Sequence, residues 1–540
     1  MSPNNHFNSN HLKMDIDLSK YIRKKTPKEL LDDNNNFVDF TNSPLITTKC
    51  IKDYYNDCSI FVTGSTGFLG KVLIEKLLRS CDGIRKIYIL LRPKRGIESE
   101  QRFEEYLRNP IFERIRSKNP NVLRKLICIP GDINDAKLGL DDGDIHVLQQ
   151  NVDIVFHVAA TVRFNEPLRD AANLNTFGTH RVMELCTKMK KLKSLVHVST
   201  AYSNPHLKNV EEQVYGTSSS PDHRLFINGI GTLPDEFTET IAKRFNKRHP
   251  NTYTLTKHMA EQIVLDYYDI LPISIVRPSI VTAALKEPYP GWIDNVYGIT
   301  GVLMEIGRGT ISSIMGKEHN LVDLMPVDIV CNTLITAAWG NSFMRSSNAI
   351  TVYNCTSGQT NPMRYSELKK KILKHSRKNP SKYVAMYPNY VYQTNRLIHT
   401  VCEIFLHFLP AFLFDLLLRA KGKKPIMMKI AKRFKMACDT GEYFVLNGWN
   451  FDAKNVRRLI RAANQTQADC NEFNCDMSAI NWDEYVEHYL MGIRTFILRD
   501  DASSLPKARR KLRKIYWTQR VLQFILIAGA IYIFFIGLWN

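Results

Sequence analysis

"CSIFVTGSTGFLGKVLIEKLL" occupies residues 58–78, and the reading of this stretch decides the fold. The apolar run 60–62 predicts a buried strand, and the periodicity of 71–78 predicts a helix. Between them Gly64, Gly67 and Gly70 recur every third residue. Strand, glycine turn and helix in that order aim backbone N–H groups and a helix N-terminus at a phosphate. Gly64 suits the tight turn, Gly67 the close approach of a pyrophosphate, and Gly70 the close packing of helix on strand. Ordinary strand-to-helix turns carry the same spacing, so the rest of the chain has to decide.

Outward from this turn, strands and helices alternate up to about residue 281. Short runs rich in Val and Ile at 60–62, 86–91, 126–130, 154–158, 194–199 and 273–277 are separated by stretches long enough for crossover helices. Such a chain predicts an α/β fold, a doubly wound parallel sheet of Rossmann type. Residues 286–356 mix Gly- and Pro-rich turns ("KEPYPGW") with short apolar runs and are expected to form a lobe above the strand ends. The nucleotide-binding domain with this lobe is placed at 48–358. From 359 to 500 helical patterns dominate. Within them "VCEIFLHFLPAFLFDLLL" (401–418) is very apolar yet carries Glu403, His407, Asp415 and Pro410. It reads as a kinked amphipathic hairpin, at a membrane interface or under the catalytic lobe, and Lys421, Lys423 and Lys424 follow it as beside anionic head groups.

At 540 residues with 44% apolar side chains the chain is a globular protein of more than one domain. A formal net charge of +20 suggests anionic partners. No zinc-finger spacing or RNA-binding signature points to nucleic acid. Eleven scattered cysteines without a Cys-x-x-Cys pair fit reduced thiols rather than a disulfide framework, and no cluster predicts a metal. Residues 1–47 have no apolar core of secretory length and read as a mobile extension, with a short helix near 21–31. At 521–539 "VLQFILIAGAIYIFFIGLW" lacks any charge. As a helix it would measure about 28 Å, close to the hydrocarbon thickness of a bilayer. The basic segment 501–520 precedes it, with seven Lys or Arg in "KARRKLRKIYWTQR". The positive-inside rule then keeps the preceding chain in the cytosol, with Tyr516 and Trp517 at the interface. A single-pass tail anchor is expected, in the endoplasmic reticulum or else the peroxisome or lipid droplet.

Chemistry is carried by "NTYTLTKHMAEQIV" (251–264), where Tyr253 and Lys257 share a helix face. An ammonium near a phenol lowers its pKa from about 10 and makes it a usable acid or base. "LVHVSTAYSN" (195–204) ends a strand with Ser199 and Thr200, at the sheet edge where ligands bind in this architecture. Glycine turn, strand-end hydroxyl and Tyr-x-x-x-Lys together resemble an extended short-chain dehydrogenase/reductase, with "TGSTGFLG" as the fingerprint.

The resemblance narrows further. "IYILLRPKRG", "GDI", "VFHVAATVRF", "VHVSTAYSN", "YTLTKHMAE", "IVRPSIV", "EPYPGWIDNVYG" and "LMPVDIVCN" are similar to successive motifs of the alcohol-forming fatty acyl-CoA reductases. The helical region from 359 resembles the domain that follows the reductase domain in that family. "RPSIV" followed by "PGWIDN" is its most specific part. The Tyr motif reads Tyr-Thr-Leu-Thr-Lys where many relatives have Ser or Phe inside it, with Tyr253 and Lys257 intact.

The resemblance implies roles residue by residue. Thr63, Gly64, Ser65, Thr66, Gly67, Phe68, Leu69 and Gly70 form the pyrophosphate turn. Arg92 stands where an acidic residue would bind the ribose of NAD, and favours the 2′-phosphate of NADPH with Lys94 and Arg95 assisting; the alternative is a solvated basic loop. Asp132 and Ile133 flank adenine, while Val158, Ala159 and Ala160 line the cofactor. Asn175 supports the active site, and Thr200 binds the substrate carbonyl, with Ser199 the alternative. Tyr253 donates the proton and Lys257 grips the nicotinamide ribose. The implied reaction is NADPH-dependent reduction of long-chain acyl-CoA through an aldehyde to an alcohol at a bilayer. The rivals are an extended dehydrogenase acting on a steroid or sugar nucleotide, and a catalytically idle nucleotide-binding membrane scaffold.

Overall fold

The computed structural model describes residues 50–216, 229–245, 248–344, 349–465 and 471–539. The expected N-terminal extension and its helix near 21–31 lie outside the described residues.

Seven strands build one sheet: β1 (Ser59–Thr63), β2 (Lys86–Leu91), β3 (Leu126–Pro130), β4 (Ile154–His157), β5 (Ser194–Val198), β6 (Ile273–Pro278) and β7 (Thr351–Cys355). All pairings are parallel, in the order β7-β6-β5-β4-β1-β2-β3. The order reverses between β1 and β4, and the crevice beyond that switch point is where such sheets bind ligands. Alternate residues of β1 face opposite cores, Ile60 and Val62 one way and Phe61 the other, because side chains alternate along a strand. The helices α1 (Phe68–Ser80), α2 (Gly178–Cys186), α3 (Thr252–Asp266) and α4 (Val327–Gly340) cover the two faces. α1 packs on α4 on one side, and α2 on α3 on the other.

Two elements depart from the expectation for residues 286–356. β7 is a sheet edge paired with β6 (Val352↔Ile275, Tyr353↔Val276), and α4 is buried along its whole length. Both belong to the doubly wound body rather than to the overlying lobe. A five-residue strand and an all-round apolar helix carry no periodicity, so only their partners define them.

Beyond β7 the chain is mainly helical, and its helices include α5 (Arg396–Ala420), α6 (Met427–Leu446), α7 (Trp482–Gly492) and α8 (Leu505–Trp539). The expected hairpin does not turn at Pro410. α5 runs through it, with a π-helical stretch at Glu403–Phe408 just before the proline; such a bulge accommodates a missing N–H. The hairpin is instead formed by α5 and α6, joined at 421–426. α8 carries the basic segment and the apolar run 521–539 as one helix of 35 residues.

The helical region shares its apolar core with the sheet. Tyr485 donates to the Ala283 carbonyl at 2.7 Å, Tyr489 meets Thr300 at 2.7 Å, and Trp292 lies 4.8 Å from Phe496. Lys76 of α1 is buried and donates to the carboxylates of Glu287 and Glu472. The closest join is backbone on backbone. Gly291, at φ +77°, faces Gly492, where an added Cβ would stand 1.7 Å from the Gly291 carbonyl oxygen. Gly492→Ala is therefore expected to destabilise the protein by about 3 kcal/mol, at the upper end for overpacking. Urea denaturation of detergent-solubilised protein checks this, and an unchanged midpoint would refute it.

Candidate active site

The glycine turn is built by close approach. Gly64 has φ +74°, and a Cβ there would lie 2.6 Å from the Ala159 nitrogen; one on Gly70 would lie 2.3 Å from the Gly64 oxygen. Gly67 caps α1, and Thr66 and Gly67 leave the outer face of the turn exposed. The exposed turn ends at a helix N-terminus, a geometry that accepts a pyrophosphate. Beneath it, Thr63 donates to His157 Nδ1 at 2.8 Å and accepts from the Ala159 N–H. His157 Nε2 in turn meets Thr179 at 3.0 Å, and Thr179 donates to the Asn175 carbonyl. Burial and the nearby Lys257 charge lower the His157 pKa to about 3, so the ring stays neutral. Val158 and Ala160 continue the strand end beside Ala159, half-buried.

At the next crevice Arg92 is exposed and donates to Asp132 at 3.0 Å. Burial, then the charges of Arg92, Arg102, Arg95 and Arg163, lower the Lys94 pKa. Five cations therefore gather beyond β2. Ile133 is buried, and its carbonyl accepts from the Arg181 guanidinium at 2.9 Å.

The catalytic candidates sit on α3 and at the end of β5. Asn251 caps α3 by accepting from the Thr254 N–H, which starts the helix just before Tyr253. Tyr253, Lys257 and Glu261 then fall on one face at successive turns. Glu261 and Arg277 are both fully buried, joined by Arg277 Nε to Oε1 at 2.8 Å and Nη2 to Oε2 at 2.7 Å. Ser199 donates to Glu261 Oε1 at 2.5 Å. That bond takes Ser199 away from the crevice. Thr200 is the hydroxyl whose nearness lowers the pKa of the Tyr253 phenol.

The phenol behaves differently from the expectation. Burial pushes its pKa up to about 12, against the lowering by Thr200. Lys257 donates to the Val198 carbonyl at 2.7 Å and is not among the groups that lower the phenol's pKa. Burial, partly offset by Glu261, lowers the Lys257 pKa to about 8. Tyr253 is thus protonated at neutral pH, suited to giving a proton. Asn175 lies in a π-helical turn, Asn173–Phe177; it donates to the Thr161 carbonyl and to Thr256 and accepts from the Thr161 N–H. It ties β4's exit loop to α3.

Several residues at the site escaped the sequence reading: His157, Glu261, Arg277, His197 and the rings over Tyr253. Phe164 stacks on Tyr253 at 5.6 Å, and Phe444 of α6 lies 5.5 Å from Phe164. His197 is fully buried beside His157, with ring centroids 5.2 Å apart, and neither ring nitrogen has a partner among the described residues. Glu261 was legible as the third step of the Tyr253–Lys257 spacing. Arg277, His157 and His197 were legible as lone polar residues inside apolar strands. Phe444 carried no signal, because it meets the site from 191 residues away in sequence, 444 against 253.

Family models described as "Male sterility protein" match residues 62–334 and 406–500. The chain is similar to fatty acyl-CoA reductase 1 of Mus musculus and of Homo sapiens, each 39% identical over 465 residues, covering 86% of this chain and 89% of theirs. Fatty acyl-CoA reductase 2 of Mus musculus is 34% identical over 480 residues, 88% of this chain and 92% of its own. The chain belongs to the fatty acyl-CoA reductase family. This reductase is an enzyme with a nicotinamide-dinucleotide-binding domain. Its fold is shared with the terminal R domain from the myxalamid PKS-NRPS pathway, at TM-score 0.55 and 19% identity, covering 82% of this chain and 91% of that one. The reductase domain of a nonribosomal peptide synthetase from Mycobacterium tuberculosis matches at 0.54 and 17%, covering 82% and 92%.

The hydroxyl geometry separates two variants. Ser199→Ala leaves the Glu261–Arg277 pair intact and is expected to cost about 1 kcal/mol of stability while kcat changes little. Thr200→Val is expected to lower kcat by roughly 10²–10³, the loss typical of one oxyanion donor. Steady-state kinetics on both proteins decide, and the opposite ranking would exchange the two roles.

The pH dependence follows from Lys257. A lysine with a pKa of about 8 is charged below that pH and neutral above it. Grip on a ribose is therefore expected to weaken as pH rises through about 8, seen as an alkaline fall in kcat/KM for the cofactor. Lys257→Arg, charged at every accessible pH, is expected to flatten that limb in its residual activity. A limb unmoved by this change would assign it elsewhere.

Proposed function

We propose that this reductase converts long-chain fatty acyl-CoA to fatty alcohol, using NADPH and releasing CoA, with the aldehyde as intermediate. The observation that carries the reading is the meeting of Thr200 and Tyr253 in an enzyme of the fatty acyl-CoA reductase family. Five cations gather around Lys94, which supports NADPH over NADH. Arg92 is exposed and its pair with Asp132 is open to water. Such a pair is worth about 1 kcal/mol or less, so its guanidinium exchanges readily onto a 2′-phosphate. A bound NADPH supplies hydride to the acyl carbonyl carbon.

The chain's own residues do the rest. Thr200 donates to the carbonyl oxygen as negative charge develops there. Tyr253, held protonated by burial, delivers its proton to that oxygen. Lys257, released from the Val198 carbonyl, holds the nicotinamide ribose. The phenol is then re-protonated from the Lys257 side. As the hemithioacetal collapses, its hydroxyl proton passes to the departing CoA sulfur and leaves aldehyde and CoA thiol; with a second NADPH bound to supply hydride, Tyr253 would give a second proton to the aldehyde oxygen and yield the alcohol. The rings of Phe164 and Phe444 keep water from the reacting carbon. In this reading residues 521–539 of α8 anchor the protein, and the basic residues before them keep the catalytic body on the cytosolic side.

The test is NADPH oxidation by detergent-solubilised protein with a long-chain acyl-CoA, with lipid products separated. Alcohol and free CoA are expected, with Tyr253→Phe inactive yet still binding NADPH, and Arg92→Ala weakening NADPH at least tenfold more than NADH. Turnover by Tyr253→Phe near the parent rate would overturn the acid, and equal use of NADH by the parent enzyme would overturn the assignment of Arg92.

A further inference from the structure

Helix α5 is built inside out. His399, Glu403 and Asp415 are buried, and His407 is half-buried beside them. Each polar group has a partner on the protein. His399 Nδ1 meets Ser313 at 2.9 Å, and Glu403 receives Lys435 at 2.8 and 3.0 Å. His407 Nε2 accepts from the Ser312 N–H at 2.8 Å. Asp415 accepts from the N–H groups of Ile426, Met427 and Met428, at 2.8, 2.8 and 2.9 Å, and so caps α6. The side turned outward is apolar: Leu397, Phe405, Phe412, Phe414 and Leu417 stand among side chains between 42% and 78% exposed. Thr400, also on that side, spends its hydroxyl on the Arg396 carbonyl of its own helix.

A water-facing helix buries its apolar stripe and exposes its charges. The reverse pattern is stable only where the outer side is hydrocarbon, because contiguous exposed apolar surface of this extent is avoided in water. We propose that α5 lies in the plane of a bilayer, with its outer face in the hydrocarbon just below the head groups.

Two further observations commit the face to lipid. The ends of the helix are basic, with Arg396 at one and Arg419, Lys421, Lys423 and Lys424 at the other, the placement that reaches anionic head groups. The face also lies on the side of the body from which α8 departs. The Tyr387 N–H donates to Gln519 of α8, and its ring packs 4.9 Å from Tyr516; the strand that follows, Val391–Gln393, pairs with Ser313–Met315, to which His399 is bonded.

α5 is long and apolar enough to cross a membrane, and its attachments oppose that. Polar ties run from His399 in the first turn to Asp415 in the last. A spanning orientation would draw Ser312, Ser313 and the charged pair Glu403–Lys435 into hydrocarbon, where unsatisfied polar groups are costly. In-plane placement keeps every tie on the watery side. It also gives the acyl chain a route, since α6 packs on α5 and carries Phe444 onto Phe164, the ring that stacks on Tyr253. This route rests on the acyl-CoA reading above; the orientation of α5 does not.

The test reconstitutes the full chain in vesicles of phosphatidylcholine and phosphatidylserine, with a fluorescent amino acid at position 405, 412 or 416 in turn. Lipids brominated at defined depths serve as quenchers. The expected result is a loss of fluorescence at all three positions, deepest in each case with bromines near the head groups. A spanning helix would instead spread the three positions over about 16 Å of depth. That spread, or no quenching at any position, overturns the proposal. In the same vesicles, F405E combined with F412E is expected to raise KM for long-chain acyl-CoA several-fold. Reduction of a soluble short-chain acyl-CoA in detergent is expected to stay unchanged. An unchanged KM would overturn the route, whereas a parent enzyme that reduces neither acyl-CoA would overturn the reaction proposed above and leave the orientation of α5 to be decided by the quenching.

Discussion

A fully buried carboxylate and guanidinium, Glu261 and Arg277, hold the active site in register. Glu261 stands on α3 two turns after Tyr253, and Arg277 stands in β6, so their paired bonds fix how far the helix slides along the sheet. Two charges out of water are tolerated only with good geometry and further hydrogen bonds. Arg277 has those from the Glu211 and Gln213 carbonyls, and Glu261 has Ser199. Removing one partner would strand the other charge at a cost of about 3–5 kcal/mol. The same bonds settle the hydroxyls at the end of β5: Ser199 is consumed by the pair, and Thr200 is turned to the phenol.

From that fixed register the rest of the site follows. Tyr253 is half-buried beside Thr200 and the Phe164 ring, and desolvation keeps it protonated. Lys257 sits over the ends of β5 and next to two neutral histidines, whose charged forms burial and its own charge disfavour. The neutral histidines and the depressed Lys257 pKa are consequences of one dry pocket.

The helical region is part of this arrangement rather than an appendage. Gly291 and Gly492 bring the two backbones into contact, and Lys71 of α1 pairs with Asp294 of the same "PGWIDN" stretch. The segment read as most specific to the family is therefore the seam between α1, the helix after the glycine turn, and α7. Through α6 the same region packs Phe444 on Phe164, the ring stacked on Tyr253, and through α5 it presents hydrocarbon-compatible surface.

The sequence by itself determined the doubly wound sheet, six of its seven strands, the glycine turn and the Tyr253–Lys257 helix. These are local patterns: apolar runs, a three-residue glycine period and a four-residue spacing, each dictated by strand or helix geometry. β7 and α4 carried no such period and took their places only through pairing and burial. The choice between Ser199 and Thr200, the protonated state of Tyr253 and the direction of Lys257 were beyond local pattern as well. They depend on Glu261, Arg277, Phe164 and Val198, which meet only after the chain has folded. The outward face of α5 is the clearest case. Its composition declared an apolar segment interrupted by Glu403, His407 and Asp415, but which side those groups and His399 occupy was decided by partners at Ser312, Ser313, Lys435 and 426–428, because a buried polar group must find its hydrogen bond wherever the tertiary structure offers one.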